Sequence, residues 1–581
     1  MGGVFPKWKG FGSAVYCQSI EQTLRQGEIH GNLQMDAQYY NPDSAIGAPP
    51  VPEKILMNGF SNINYTNQNF SAGIRYESYL NALQGFPSGY RGSGFPYRYA
   101  SFTNKNLTVT AGNYYEQFGS GLIFRSYEER GLGYDNAMDG LRIFYRPYSG
   151  IYMKGLIGKM RKYFTYGEGI LRGTDIEINV NELFSHEESG QEQTLVNNSS
   201  DSSSISQSIN PVITGKENKI KFIFGGSAIS KYEKDQNSTY NLPENVAAFA
   251  GRANLIYNGF SLFSEYAYKM NDPYPYQSGS VYDYNYKPGQ AFLTQASYSK
   301  PGFGISLSAK RTDNMDFRTD RNAKSVPPEL LINYMPPLTR QHTYNLLATL
   351  YPYASQSKGE MAFQGELIYK LKKETFLGGK RGANILINVS MVNNIDTIHL
   401  NDMDTTRIGY RSDFFKIGRD TYFKDFNIEF SKKITDKLKM ILTYANLAFN
   451  IDVIQGKVNK GMIYSDVGIL EIQYKISKKH SIRSEIQNLI TKKDQGDWAT
   501  GILEYSYSPN WFLAVMDQYN YGNKDSNKRI HYYFFSLGYT LETTRFIINY
   551  GKQRAGIFCV GGVCRNVPAS NGISLTILSS F

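Results

Sequence analysis

Apolar residues return at every second position, in segments of about 9–13 residues, from one end of this chain to the other. In residues 530–541, Tyr533, Phe535, Leu537, Tyr539 and Leu541 share a face. In residues 468–475, Leu470, Ile472 and Tyr474 oppose Glu471, Gln473 and Lys475. In residues 68–80, Phe70, Ala72, Ile74 and Tyr76 oppose Gly73, Arg75 and Glu77. That period belongs to the β-strand, whose successive side chains point to opposite faces. Strands of soluble sandwiches usually run about 5–6 residues, whereas a tilted strand needs about 9–11 to cross a bilayer. The pattern therefore predicts long antiparallel strands, each with one apolar and one polar face.

The same reading gives 25 candidate strands. From the N-terminus the links alternate: 41–53 long, 67 short, 81–95 long, 103–105 short, 116–138 long and 148–150 short. From the C-terminus they alternate too, with 552–570 long, a tight turn near Leu541, 520–529 long and 509–510 short. Outer-membrane barrels have short turns on one side and long loops on the other. The expected fold is thus all-β: a single large antiparallel transmembrane β-barrel of about 24–26 strands over residues 27–581. Both ends on one side require an even count. Either a crossing hides in 393–420, around Arg411 to Ile417, giving 26, or one strand is false, giving 24. The segment 182–218 is long where a short turn belongs, and a Ser-rich insertion is expected at 187–217.

Composition agrees with a wall wet on one side only. Of 581 residues 14% are aromatic, mostly Tyr, which suits an apolar surface with wet edges. The mean hydropathy of −0.43 reads as soluble, yet half of every barrel strand faces a polar lumen. The sequence has no run near 18 apolar residues, which argues against helical spans. Residues 1–26 form an atypical N-terminal segment, either a signal region or a misassigned start: Lys7 and Lys9 precede only a broken apolar patch from Phe11 to Cys17. The net charge is +11, but Lys and Arg are scattered rather than massed, which argues against a nucleic-acid partner. Wall and loop charge accounts for it, with a preference for anions or lipid phosphate as the sharper reading.

Enzymatic chemistry finds little support, and no catalytic residue, metal site or cofactor is expected. His30, His186, His342, His399, His480 and His531 lie far apart, none in a metal-ligand spacing such as HExxH. The sequence has no GxSxG and no phosphate-cradling GxxxxGK[ST], and Gly167, Gly169 and Gly173 miss the dinucleotide spacing in a β context. Asp402 and Asp404 read as a solvated acidic loop without regular calcium-ligand spacing. Cys559 and Cys564 enclose Val-Gly-Gly-Val in a long link, and a disulfide is expected there.

The densest constellation runs from Gly112 to Arg146. It carries Arg125, Glu128, Glu129, Arg130, Asp135, Asp139 and Arg142 among glycines. One reading makes this an inward-folded loop with Arg125, Arg130 and Arg142 facing Glu128, Glu129 and Asp135 across a pore constriction. The other makes it a salt-bridged loop packed on the rim. The last strand, Asn571 to Phe581, ends on an aromatic residue preceded by alternating apolar ones. It resembles the signal by which such barrels are recognised for insertion, which gives Phe581 a role in assembly.

Four stretches carry a wider resemblance: Met57 to Tyr65, Arg75 to Leu80, Gly112 to Gly121, and Tyr127 to Gly140. Over 27–581 the chain resembles an uncharacterised family of Bacteroidota outer-membrane β-barrel proteins, porin-like in character. The resemblance implies the outer membrane of a Gram-negative cell, both termini periplasmic, with membrane lipid and the barrel assembly machinery as partners. The leading expectation is a porin-like channel for passive passage of small polar solutes, with the net charge favouring anionic ones. The rival is a non-enzymatic scaffold or accessory barrel of an envelope secretion or assembly complex, bound to an envelope protein. On that reading the loops 270–290, 312–340 and 393–420 supply a plug or a docking surface.

Overall fold

The computed structural model describes residues 27–184, 220–237, 239–278, 281–321, 330–400, 407–560 and 563–581. Twenty-four strands form one closed antiparallel sheet. In chain order they are β1 (Glu28–Tyr40), β2 (Ile55–Asn67), β3 (Phe70–Asn81), β4 (Gly92–Asn104), β5 (Leu107–Tyr114), β6 (Met138–Tyr145), β7 (Ile151–Lys162) and β8 (Thr165–Asn179). Then follow β9 (Lys221–Tyr232), β10 (Asn245–Tyr257), β11 (Phe260–Lys269), β12 (Gly289–Lys300), β13 (Phe303–Asp313), β14 (Gly359–Leu371), β15 (Ala383–His399) and β16 (Tyr410–Lys433). The last eight are β17 (Leu438–Asn450), β18 (Met462–Lys475), β19 (His480–Thr491), β20 (Trp498–Tyr507), β21 (Trp511–Tyr519), β22 (His531–Leu541), β23 (Thr544–Gln553) and β24 (Ser570–Ser580). Each strand pairs with its sequence neighbours, and β24 returns to β1 in the register Asn32↔Ser580 to Tyr40↔Gly572. Phe581 and Gly31 exchange backbone hydrogen bonds of 2.9 and 3.0 Å at that seam. Closure leaves the sheet without an edge.

The parity conflict resolves at 24. Twenty-four of the 25 expected strands are present, and the exception is 341–350. Its residues form the short helix Asn345–Leu350, which lies inside the barrel with Leu346, Leu347 and Leu350 buried. Those three share one helical face, whereas the alternating phase runs through Tyr344, Leu346, Ala348 and Leu350 and leaves Leu347 as a defect. Among the described residues of 393–420 there is no extra crossing. They extend β15 and β16 into a hairpin taller than the wall, broken by register shifts between Val392 and Thr397. Its upper part leans over the outside of β11–β13, where the Phe414 ring lies 6.4 Å from that of Tyr266 and 6.1 Å from that of Phe292.

Connection lengths sort onto two rims. The short-turn rim carries two-residue links such as 68–69, 258–259 and 542–543; the other carries long loops such as 115–137 and 314–358. Three links break the rule, one of them the eleven-residue connection 372–382 on the short-turn rim. Residues 163–164 make a tight turn on the long-loop rim. The connection from β8 to β9 leaves from the short-turn rim, opened by the helix Val180–Phe184. The Ser-rich stretch 187–217 within it lies outside the described residues, as do residues 1–26, Asp402 and Asp404.

Outward faces of the strands are apolar and exposed. Ile74, Leu141, Leu307, Val389, Ile486 and Leu503 are each exposed in the middle of the wall. Aromatic rings bound this band. Near the short turns Tyr298, Phe303 and Tyr369 stand in a row with centroids 6.3 and 6.4 Å apart, and Trp511 meets Tyr539 at 4.5 Å. Toward the other rim Tyr76 meets Phe95 at 5.3 Å and Tyr533 meets Tyr550 at 6.0 Å.

The closing register is directly testable. Gly31 and Phe581 form a hydrogen-bonded pair, so Gln38 and Ser574, seven steps along, form a non-hydrogen-bonded one with close Cβ atoms. A Gln38→Cys/Ser574→Cys variant is expected to form a disulfide on mild oxidation, read as a cross-linked peptide by mass spectrometry. Absence of that link in folded protein would refute this seam.

Candidate functional site

A 24-strand wall encloses more space than its own inward side chains can fill. Two long-rim segments fold back into it. Residues 115–137, between β5 and β6, cross the lumen to β11, five strands away in sequence. There the Ser120 backbone N–H donates to Glu265 Oε2 at 2.7 Å. The turn needs glycine: Gly119 has φ +52°, and a Cβ there would sit 2.5 Å from Glu265 Oε1. Behind it Phe118, Leu122, Ile123 and Phe124 are fully buried. Gly173 on β8 leaves room for the Phe118 ring, since a Cβ there would approach it to 2.8 Å.

Residues 314–358, between β13 and β14, form the second segment. It is zipped to the first: the Arg125 N–H donates to Ile332 O at 2.8 Å, and the Tyr334 N–H to Gly121 O at 2.9 Å. Asn136 Nδ2 donates to Leu331 O at 3.1 Å. It then runs to the far wall. Arg340 pairs with Glu429 at 2.7 Å, and His342 Nε2 lies 2.8 Å from Asp425 on β16. The Leu346 N–H donates to Gln487 Oε1 on β19 at 2.9 Å, and Gln518 on β21 donates to Asn345 at 2.8 Å. Apolar side chains of both segments merge with lumen-facing Met138, Met160, Val467 and Trp498 into one buried cluster. The described residues of 312–340, a loop expected as a plug or a docking surface, thus lie inside the barrel, while no described residue of 270–290 or 393–420 belongs to this cluster.

Buried charges fix the first segment to the wall. Arg75 on β3 reaches Glu128 and Asp135, each at 3.1 Å. Arg161 on β7 reaches Asp135 at 2.5 Å and Glu77 at 2.6 Å. Arg130 pairs with Glu128 at 2.9 Å, and its guanidinium covers the Phe60 ring. Burial pushes the Glu128 carboxyl up, but Arg75 and Arg130 outweigh it and hold it at about 2. Nearby, Arg142 and Lys154 meet Glu116 at 2.6 and 2.8 Å. There too burial raises the carboxyl, and Lys154 and Arg142 more than offset it, leaving Glu116 below the usual carboxylate range. Glu129 lacks such cover, and burial lifts its pKa.

Of the seven residues singled out by sequence, Glu128, Arg130 and Asp135 come together in one cluster. Arg125 is sandwiched between the Tyr127 and Tyr334 rings, at 4.3 and 4.1 Å. Arg142 meets Glu116 rather than the acids of the loop tip. Asp139 lies on the opposite face of β6 from Arg142 and pairs outside with Arg98 at 3.1 Å. Sequence reasoning missed Arg75, Glu77, Arg161, Glu116 and Glu265. Arg75 and Glu77 were visible as charges in the polar phase of a strand, but their partner Arg161 is far away in the chain. Cys559 and Cys564 are direct backbone partners across the hairpin Gly556–Val560/Val563–Val567. Phe581 ends the chain at the closing seam, exposed. Among the described residues no His, Cys, Asp and Glu group has the arrangement of a metal site.

Fold and lumen together define a class: a large closed β-barrel partly filled by its own in-folded segments. Residues 8–208 and 203–581 match a protein-family model, and the chain belongs to that family, described as "Family of unknown function (DUF6029)". No curated protein matches the chain. Among solved structures it is similar to the siderophore receptor PirA from Pseudomonas aeruginosa, at 8% identity and TM-score 0.38, over 95% of this chain and 80% of that one. It is also similar to OccK3 (OpdO) from Pseudomonas aeruginosa, at 10% identity and TM-score 0.34, over 82% of this chain and 98% of that one. Values this low say nothing of what the chain carries.

Two predictions follow from the charge cluster. Arg161→Leu leaves Glu77 and Asp135 short of a buried cation. It is expected to cost roughly 3–5 kcal/mol of unfolding free energy, read from the denaturant midpoint of the folded barrel. A loss below about 1 kcal/mol would show that the cluster does not hold the segment. The Glu128 carboxyl has its pKa depressed from 4.5 to about 2. Its contribution is therefore complete above pH 4.5 and is lost as pH falls through 2. In a folded barrel at pH 3 an isotope-edited infrared or carbon-13 signal from Glu128 should still be that of a carboxylate; a protonated carboxyl there would contradict this ion pairing.

Proposed function

We propose that this protein spans the outer membrane of a Gram-negative cell and passes small polar solutes through a lumen narrowed by its own loops. The observation that carries this is the two-sided wall. Its outward face is an exposed apolar band between two rows of aromatic rings, an arrangement water disfavours and a bilayer accepts. Its inward face is hydrogen-bonded and polar along β1, β2 and β24, where Asn62 donates to Asn32 at 2.7 Å and Thr576 to Asp36 at 2.7 Å. On this reading the short turns and both termini are periplasmic, and Phe581 serves insertion by the barrel assembly machinery. The solute class stays at small and polar. Most of the net positive charge lies at strand ends and turns of one rim, so it gives no ground for favouring anions.

Passage would follow the polar wall beside the two in-folded segments, which act as a fixed constriction. Their apolar cluster and buried ion pairs make opening by simple side-chain motion costly. A second reading, a scaffold barrel for an envelope complex, draws on the tall β15–β16 hairpin. It lifts Phe415 to 88% exposure, where a partner would cover it.

Planar-bilayer conductance separates the two. The native barrel should conduct weakly for its strand number. Replacing Phe118, Leu122 and Phe124 by Ser should raise single-channel conductance several-fold. A heat-modifiable, inserted barrel that conducts in neither form would sink the channel reading and favour the scaffold. Equal, large conductance in both would sink the constriction.

A further inference from the structure

Positive charge is not spread evenly around the barrel. Most of the net excess lies where three strands end on the short-turn rim and in the connections that follow: 370–381 at the end of β14, 432–437 at the end of β16, and 475–479 at the end of β18. They contain eleven Lys and Arg against Glu374 and Asp436, a formal +9 of the chain's net +11. Short turns elsewhere on this rim, such as 68–69, 258–259 and 508–510, carry no charge.

The three connections are stitched into one ledge. Lys432 Nζ donates to Leu377 O at 2.9 Å, and Lys437 Nζ to Ile476 O at 3.3 Å. Arg381 pairs with Asp436 at 3.0 Å. That uses one acid of the two. Among the described residues Lys372, Lys373, Lys433, Lys478 and Lys479 stand exposed with no carboxylate partner.

Large apolar side chains crown the same ledge. Phe376 is 98% exposed, and Leu377, Ile434 and Ile476 are exposed beside it. Phe376 is held outward by a tight local frame, in which the Gly379 N–H donates to Thr375 O at 2.7 Å and the Glu374 N–H to Gly379 O at 2.8 Å. A rigid turn that presents Phe to water wastes apolar surface; one that presents it to an interface does not. The level fits as well. Lys370 directly follows Tyr369, and Lys475 follows Tyr474, so the cations begin where the lower aromatic row ends.

We infer that this ledge binds the phosphate headgroups of anionic phospholipid, with Phe376 and Leu377 seated at the acyl boundary. The inference rests on the membrane-spanning reading of the wall. Lipid is favoured over an acidic protein because the cations continue the aromatic row outward and come with protruding apolar tips. The ledge would fix the tilt and depth of one side of the barrel, and surround that sector with a preferred lipid.

The test uses the full chain in nanodiscs of equal phosphatidylglycerol and phosphatidylcholine, with retained lipid counted by native mass spectrometry. Native protein should retain phosphatidylglycerol about tenfold over phosphatidylcholine. In a Lys372→Gln/Lys373→Gln/Lys380→Gln/Lys478→Gln/Lys479→Gln variant the ratio should fall to within about twofold. A Lys524→Gln/Lys528→Gln variant, altered on the opposite rim, should keep the native ratio. Both variants should keep the boiled-against-unboiled gel shift of a folded barrel. Equal retention of the two lipids by inserted native protein, or an undiminished preference in the five-site variant, would overturn the ledge alone. So would a five-site variant that loses a copurifying acidic protein and keeps its lipid. Failure of native protein to insert into vesicles of any composition would instead strike the membrane-spanning reading.

Discussion

Everything in this molecule depends on the seam between β1 and β24. Closing it pairs the last free strand edges and leaves no ladder of unsatisfied N–H and C=O groups. Closure also fixes which face of each strand looks inward, because a slip of one residue would exchange the faces. With the seam in place, Leu33, Met35, Ala37 and Tyr39 point out beside Ile573, Leu575 and Ile577, while Asn32, Asp36, Ser574 and Thr576 point in. The apolar wall and the polar lumen are thus two consequences of one register.

Closing so many strands creates a second problem. The circumference grows with strand number, so the lumen widens faster than wall side chains can fill it. The solution here is internal: 115–137 and 314–358 bring their own apolar residues and build a core inside the barrel. Backbone entering that core needs partners, and the two segments supply them to each other, at Arg125 with Ile332 and Tyr334 with Gly121. Charges entering it must be neutralised, which explains why Glu128 and Asp135 meet Arg75 and Arg161. Core, backbone zipper and ion pairs are three answers to one geometric demand.

The wall was legible because strand period and link length are local properties. A residue pair such as Ile472 and Glu471 announces its two faces without reference to any other strand. The helix Asn345–Leu350 was misread for the same reason. Tyr344, Leu346, Ala348 and Leu350 alternate as a strand would, while Leu346, Leu347 and Leu350, all buried inside the lumen, share one helical face. The site was less legible because its partners are long-range. Glu128 and Asp135 announce a charged loop, but nothing near them in sequence points to Arg161 on β7 or to Glu265 on β11. Asp139 shows the complementary failure. One residue of phase along β6 separates it from Arg142, and that phase sends it to Arg98 outside.

The distribution of charge then separates two jobs that composition alone merges. A net charge of +11 is compatible with anion passage, with lipid contact, or with neither. Within the lumen many cations are matched to carboxylates, as Arg483 is by Glu471, Glu485 and Glu504 and Lys310 by Glu360 at 2.6 Å, while Arg125 and Arg554 cover aromatic rings instead. A buried cation with neither a carboxylate nor a ring beside it would be costly, and the fold supplies one or the other there. No such constraint acts at the turn tips, where water or headgroups solvate an ammonium directly. Surplus charge can therefore accumulate only at a rim, and it has accumulated at one sector of one rim, beside Phe376 and Ile434. That sector carries a formal +9 of the chain's net +11, so the sign of the whole chain is the sign of one part of one rim.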